Sequence, residues 1–260
     1  MALDDALRAL HEKRLPPYSL AVTFDDGYRN FYTDAYPILR SLEIPATMFI
    51  ATDFVFKKKP LWVDRLEYAL GKRSVSREEN IAHDTRLRDE LKALPDSERE
   101  RRLQEIETES GVTFGDFSGE RAVYAPLLES EIQEMQQGGV TFGAHTRSHP
   151  ILSNILPDRI PAEIAGSKED VASICTNVSA VFAYPNGQRG DWNDAVEKEI
   201  VQAEFAGALT TIEGVNTAHT HPLRLRRIAL DATDNGPAFA LIVSGVRLYL
   251  RTLRDYFKLN

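Results

Sequence analysis

Short apolar runs at residues 20–26, 44–52, 140–144, 180–184, 206–211 and 223–230 alternate with segments that carry apolar residues at helical spacing, at 31–42, 129–137, 160–174 and 191–205. Runs of this length, rich in Val, Ile, Phe and Thr, read as buried strands. Strands that alternate with helices pair in parallel, because each crossover helix returns the chain to the same end of the sheet. Folds of this kind place their sites where loops leave the carboxyl ends of the strands. The chemistry of this chain is therefore sought at residues that follow a strand.

A chain of 260 residues suffices for one large α/β domain, or one domain with a sizeable insertion. The net charge of −8 argues against general affinity for nucleic acid, so no nucleic-acid partner is expected. A single cysteine, Cys175, excludes an internal disulfide and fits a reducing compartment. The first 15 residues carry charges every few positions and lack the apolar centre of a signal peptide. No stretch approaches the roughly 20 apolar residues of a membrane span. The expected location is cytoplasmic, with an exported protein trimmed of its signal as the alternative.

Between about residues 57 and 125 the alternation is interrupted. "LWVDRLEYAL" puts Trp62, Leu66, Ala69 and Leu70 on one helical face, and the following stretch is dense in charges of both signs. This segment is expected to be a helical insertion folded over the sheet, either a solvated cap or a substrate-covering lid. Residues 237–260 read as a C-terminal amphipathic helix, with Phe239, Ile242, Val246, Leu250 and Leu253 interleaved with arginines. Such a helix packs on its own domain or rests on a membrane surface or partner.

"AVTFDDGYRN" (21–30) ends its strand on two adjacent carboxylates, Asp25 and Asp26, followed by Gly27. "FGAHTRSHPILS" (142–153) ends another strand on His145 and His149. Two imidazoles and one carboxylate suit a divalent metal such as Zn²⁺ and leave positions open for water. The second carboxylate can then do what a ligand cannot, which is to accept a proton. On a regular strand adjacent side chains diverge, but a turn at Gly27 can swing both aspartates towards one pocket. A third strand end, "VFAYPNGQ" (181–188), makes a Pro-Asn-Gly turn whose backbone N–H groups, at Tyr184 or its neighbours, can face the same pocket.

"TFDDG", "HTRSHP" and "AYPNG", in this order, resemble the motifs of the polysaccharide deacetylase (NodB-homology) family, carbohydrate esterase family 4. The likeness covers about residues 20–211 apart from the insertion. It implies a distorted (β/α)7 barrel, a divalent metal, usually zinc, and hydrolysis of N-acetyl groups on an acetylated glycan. Carried over by position, Asp25 matches the catalytic base. Asp26, His145 and His149 match the metal ligands, and the backbone N–H of Tyr184 matches the oxyanion donor. Pro185, Asn186 and Trp192 are expected at the sugar, with Tyr28 and Trp62 as further aromatic candidates. The "YPNG" form of the third motif looks like the exopolysaccharide-associated branch.

Two departures accompany the likeness. The arginine that the family often carries before the third motif, where it holds the base, is replaced by Val181, Phe182 and Ala183; Arg189, Arg224 and Arg226 are the candidate substitutes. The late-motif histidine that acts as general acid is missing after its strand, leaving His219 and His221 before it as the candidates. Two other functions stay open at this stage. One is a metal-dependent amidohydrolase acting on a small cyclic amide, and the other is a glycan-binding descendant without turnover.

Overall fold

The computed structural model describes residues 1–72, 77–230, 234–247 and 250. The six apolar runs form β1 (Val22–Phe24), β2 (Ala46–Ile50), β3 (Val140–Ala144), β4 (Val178–Ala183), β5 (Gly207–Glu213) and β6 (Leu225–Arg227). They lie side by side in sequence order and every neighbouring pair is parallel. All five residues of β2 are buried, as expected of a strand covered on both faces.

β1 and β6 are the edges of this ladder, yet Arg227 at the end of β6 forms an ion pair with Asp25, just past β1. The sheet therefore curls until its two edges face each other, giving a distorted (β/α) barrel. Six strands are present among the described residues where seven were expected.

Period-two alternation sorts the strand residues between two cores. Val22, Phe24, Met48, Ile50 and Phe142 face outward and pack with the surrounding helices, including α7 (Glu129–Gln137) and α8 (Ile160–Ile174). Phe49, Val181, Ala183, Leu209 and Leu225 form the inner set. There they meet Leu3, Leu7 and Leu10 of α1 (Leu3–His11). Asp4 of this helix accepts from Ser179 Oγ at 2.8 Å and from the Ala180 N–H at 2.7 Å, at the start of β4. The amphipathic α1 thus plugs the end of the barrel opposite the motif-bearing loops.

Between α3 (Thr52–Lys57) and α7 the chain builds α4 (Trp62–Gly71), α5 (Arg77–Ala93) and α6 (Asp96–Glu109). Leu66, Leu70, Leu91, Leu103 and Ile106 give them a small core of their own. Arg65 ties α4 to Glu100 and Glu107 of α6 at 2.8 and 2.7 Å. Trp62 lies inside this core with the Arg99 guanidinium 5.4 Å over its ring, so it is not a platform for sugar. The insertion touches the motif end of the barrel through Asp64, which binds Tyr28, and through Asn154, which donates to the Lys92 carbonyl.

At the C-terminus, α10 (Gly236–Val243) buries Ile242 and leaves Phe239 and Leu241 exposed; the rest of the expected helix to residue 260 lies largely outside the described residues. Among the described residues no helix is long and apolar enough to cross a membrane.

Candidate active site

The first motif leaves β1 through a tight turn that only a special backbone permits. Gly27 has φ +96°, and a Cβ there would stand 2.6 Å from Val55 Cγ2, so both conformation and space call for glycine. Asp26 also adopts a left-handed φ of +73°, and its carbonyl accepts from the Ala51 N–H at 3.1 Å. This turn sends the two neighbouring carboxylates to different partners.

Asp26 Oδ1 lies 3.3 Å from His145 Nε2 and 3.3 Å from His149 Nε2. One ligand atom from each residue falls within 4.8 Å of the others. A tetrahedral zinc site with bonds of about 2.1 Å separates its ligands by roughly 3.4 Å, so the set fits such an ion. His145 Nδ1 is 2.8 Å from the Ala183 carbonyl. A carbonyl only accepts, so Nδ1 carries a proton, and in the neutral ring Nε2 is left with its lone pair towards the site. Burial favours the neutral carboxyl of Asp26, but the hydrogen bonds from His145 and His149 win and hold it far below the usual carboxylate range. Burial likewise works to lower the His145 pKa, and the Asp26 hydrogen bond with the charges of Asp25 and Asp26 reverses this into a net rise. The electrostatics are those of a cation site.

The loop that carries the histidines is held from outside. Glu163 of α8 accepts from the Arg147 and Ser148 N–H groups at 2.9 Å each and from Ser148 Oγ at 2.6 Å. Thr146 and His149 both have left-handed φ, +65° and +56°. With Asp26, three non-glycine residues around one point hold a conformation that costs about 1 kcal/mol or more each, which surrounding bonds must over-determine.

Asp25 faces the other way, into the barrel mouth. Arg227 pairs with it: Nη1 donates to Oδ1 at 2.8 Å, and Nη2 stands 2.7 Å from Oδ2 as an ion-pair contact without hydrogen-bond geometry. The same guanidinium is braced by Nε, which donates to the Thr210 carbonyl at 2.8 Å. A charge-assisted bond from a braced guanidinium holds a carboxylate in place, which suits a base that must point one oxygen at its target.

Residues 12–208 match the sequence model of the family described as polysaccharide deacetylase. The chain belongs to the polysaccharide deacetylase family. It is 20% identical over 242 residues to YxkH of Bacillus subtilis, named as a polysaccharide deacetylase; the match covers 93% of this chain and 62% of that protein. The chain therefore spans less than two thirds of this curated relative. Among solved structures, the deacetylase PplD of Streptococcus pyogenes, in complex with acetate, shares 22% identity at a TM-score of 0.62, over 94% of this chain and 78% of that one. A de-N-acetylase from Aggregatibacter actinomycetemcomitans shares 14% identity at a TM-score of 0.57, over 93% and 82% of the two chains. These likenesses show the (β/α) barrel of the NodB-homology type.

Against the deacetylase motifs, three expectations from sequence change. The arginine that holds Asp25 is Arg227, none of the three anticipated. Arg224 instead pairs with Glu197 at 2.6 Å, Arg226 is exposed, and Arg189 is exposed in the loop after the third motif. Leu225 points inward, so period two puts Arg227 inward as well and Arg226 outward; this signal was present in "LRLRR".

The second change concerns Tyr184. Its N–H donates to the Leu209 carbonyl at 3.1 Å as part of the β4–β5 ladder, and one N–H serves one strong acceptor, so it is not available to an oxyanion. Pro185 has no N–H. Asn186 follows at φ +57°, and its N–H has no acceptor among the described residues. The Tyr184 side chain is buried, donates to the Leu223 carbonyl at 3.0 Å and stacks on Trp192 at 4.7 Å. Trp192 in turn donates to Glu197 and lines a cleft of about 370 Å³ with Arg189, Arg224 and Arg226.

The third change removes the two candidate acids. His219 and His221 are exposed in the loop leading into β6, and His221 Nδ1 accepts from the Leu223 N–H at 3.3 Å. That is the start of the strand whose far end carries Arg227. Parallel strands place every site-bearing loop at the carboxyl end, so both histidines lie towards the wrong end to protonate a leaving group there.

Proposed function

We propose that this chain is a metal-dependent hydrolase that removes N-acetyl groups from the amino sugars of a polysaccharide, oligosaccharide or surface-glycan precursor. One observation carries the reading: a carboxylate gripped by a guanidinium, Asp25 with Arg227, adjoins a convergent Asp–His–His ligand set. A module that only binds glycan has no use for an oriented base beside its ligands. The relatives named deacetylase and de-N-acetylase support the same reaction, and the "YPNG" turn supports the exopolysaccharide-associated branch.

In this reading Asp26, His145 and His149 hold one divalent ion, and the nitrogen-rich donor set favours zinc. When bound, the ion supplies Lewis acidity, lowering the pKa of water and polarising the acetyl carbonyl. Asp25 accepts the proton of the attacking water, while Arg227 holds its carboxylate in place. The Asn186 N–H donates to the oxygen on which negative charge develops, a contribution of roughly 3 kcal/mol for one positioned donor. Trp192 and the cleft beside it receive a neighbouring part of the glycan.

The test is acetate release from an N-acetylated chitooligosaccharide by zinc-loaded protein, with metal content measured by elemental analysis. About one zinc per chain together with acetate is the expected result. Opening of a small cyclic amide without acetate release points to an amidohydrolase, and glycan binding without either product points to a descendant that has lost turnover.

A further inference from the structure

The cleft beside Trp192 holds positive charge that the acetyl-transfer chemistry does not use. Its volume is about 370 Å³, and Arg189, Trp192, Asp194, Glu197, Arg224 and Arg226 line it. Two of these charges cancel. Glu197 accepts from Arg224 Nε and Nη2 at 2.6 and 2.9 Å and from the Trp192 indole at 3.1 Å, which also holds the indole in place. Arg189 and Arg226 form no ion pair among the described residues, and neither does Asp194. The chain has 39 acidic and 31 basic residues, so carboxylates are in surplus. Elsewhere its arginines find them, as Arg65, Arg88, Arg147 and Arg159 do. Two unpaired guanidinium groups lining one cleft of an acidic chain run against that pattern.

Arg226 is seated by its surroundings. Asn216 accepts from its N–H at 2.8 Å and donates to its carbonyl at 2.8 Å. A Cβ on Gly214 would stand 2.5 Å from Arg226 Cδ, so this glycine leaves room for the arginine stem. Arg189 belongs to the loop 186–192, which starts at the Asn186 turn and ends in the cleft. Within it the Asp191 carboxylate accepts from the Gln188 N–H at 2.7 Å. The Asp191 carbonyl accepts from the Ser153 N–H, on the segment that follows His149, at 3.0 Å. One loop is therefore shared between the ligand set and the cleft.

We propose that the cleft binds an anionic group, carboxylate or phosphate, carried by the glycan beside the sugar that loses its acetyl group, which rests on the deacetylase reading above. Arg189 and Arg226 donate to the anionic oxygens, and the half-buried Trp192 offers the attached sugar an aromatic surface. Asp194 opposes them with one negative charge. The planar donor fork of arginine matches carboxylate and phosphate, whereas a neutral sugar gains nothing from two uncompensated cations. The substrate is then an acidic polysaccharide or a phosphate-bearing precursor rather than a neutral homopolymer.

Acetate release by zinc-loaded protein is compared on two pairs of substrates. The first pair is an oligosaccharide of alternating N-acetylglucosamine and glucuronate against a neutral chitooligosaccharide of equal length. The second is N-acetylglucosamine carried on a diphosphate against its neutral methyl glycoside. The ratio of kcat/KM, charged over neutral, reads the cleft. At low salt wild type is expected to favour the charged member of at least one pair about 10-fold, chiefly through KM. The pair that shows it distinguishes a uronate polymer from a phosphate-bearing precursor. Arg189→Gln and Arg226→Gln are each expected to cut the ratio about threefold or more, and the double variant to bring it near one. Arg226→Lys keeps the charge and is expected to retain part of the preference. Asp194→Asn removes the opposing charge and is expected to raise the ratio. In about 1 M salt, where the screening length falls to about 3 Å, the preference is expected to collapse. A ratio near one for both pairs in wild type, or an equal ratio in wild type and the double variant, overturns the anionic site while leaving the deacetylase reading intact. A wild type that releases acetate from none of the substrates overturns both.

Discussion

Replacing Asp64 by Asn tests the burial of that carboxyl through folding stability, independently of turnover. In the folded chain burial chiefly, with Asp26 and Glu67, raises Asp64 from 3.8 to about 7. The folded protein therefore keeps a proton that the unfolded chain releases, over the window from about pH 4 to about pH 7. A raised carboxyl pKa means that stability is present below this window and is lost as pH rises through it. At about 1.4 kcal/mol per pH unit, the gap from 3.8 to about 7 amounts to about 4 kcal/mol at most. Some denatured-state compaction reduces the effect, leaving about 2–4 kcal/mol. Asn preserves size and an acceptor for the Tyr28 hydroxyl but does not titrate. Urea unfolding of chelator-treated wild type and Asp64→Asn at half-unit steps from pH 4 to pH 8 gives the difference directly, because titrations common to both proteins cancel. Wild type is expected to lose about 2–4 kcal/mol relative to the variant across this range, most steeply between pH 5 and pH 7. A difference curve flat to within about 0.5 kcal/mol refutes the argument, since it means that Asp64 titrates alike in both states.

Other residues give sharper functional contrasts. Asp25→Asn is expected to keep its zinc by elemental analysis and to lose about 10² to 10⁴ in acetate-release rate, because Asn offers an oxygen but takes no proton. His149→Ala removes one of three protein ligands and is expected to lose most of its zinc after dialysis; full occupancy would show that this histidine is not a ligand. Arg227→Met is expected to retain metal and lower kcat by about 10-fold or more, as Asp25 loses the charged bond that orients it. Glu163→Gln weakens a loop held by three bonds to one carboxylate, and is expected to reduce zinc affinity about 10- to 100-fold in a competition titration.

How much of this was legible in the sequence depended on whether one residue or a pairing between distant segments decided the matter. The parallel strands and the trio Asp26, His145 and His149 were readable because each motif ends an apolar run, and parallel topology brings all such ends together. Arg227 needed one further step, carrying the inward parity of Leu225 two residues onward. Which N–H near Tyr184 is free depends on the register of β4 against β5, which no local pattern encodes. His219 and His221 were attractive for their nearness in sequence to the late strand, but nearness does not say at which end of the strand a loop lies. Asp64 was invisible: in "LWVDRLEYAL" the helical face of Trp62, Leu66 and Leu70 carries the signal, and the partner across the site, Tyr28, is 36 residues away.

The grip of Arg227 on Asp25 joins positions 202 residues apart, the first strand to the last. Contacts of such long range form late, since most of the chain must be ordered before the ends meet at a tolerable entropic cost. The histidine loop lies on β3, and its support from Glu163 comes from α8, which directly follows it. On the proposed assignment, a chain with β1 to β4 in place already has the ligands for a metal while Asp25 is still unaligned. On that assignment ion capture and catalytic competence are expected to be separate events in time, with metal binding first. Stopped-flow refolding should show zinc uptake ahead of the recovery of turnover, with the interval set by the docking of β6.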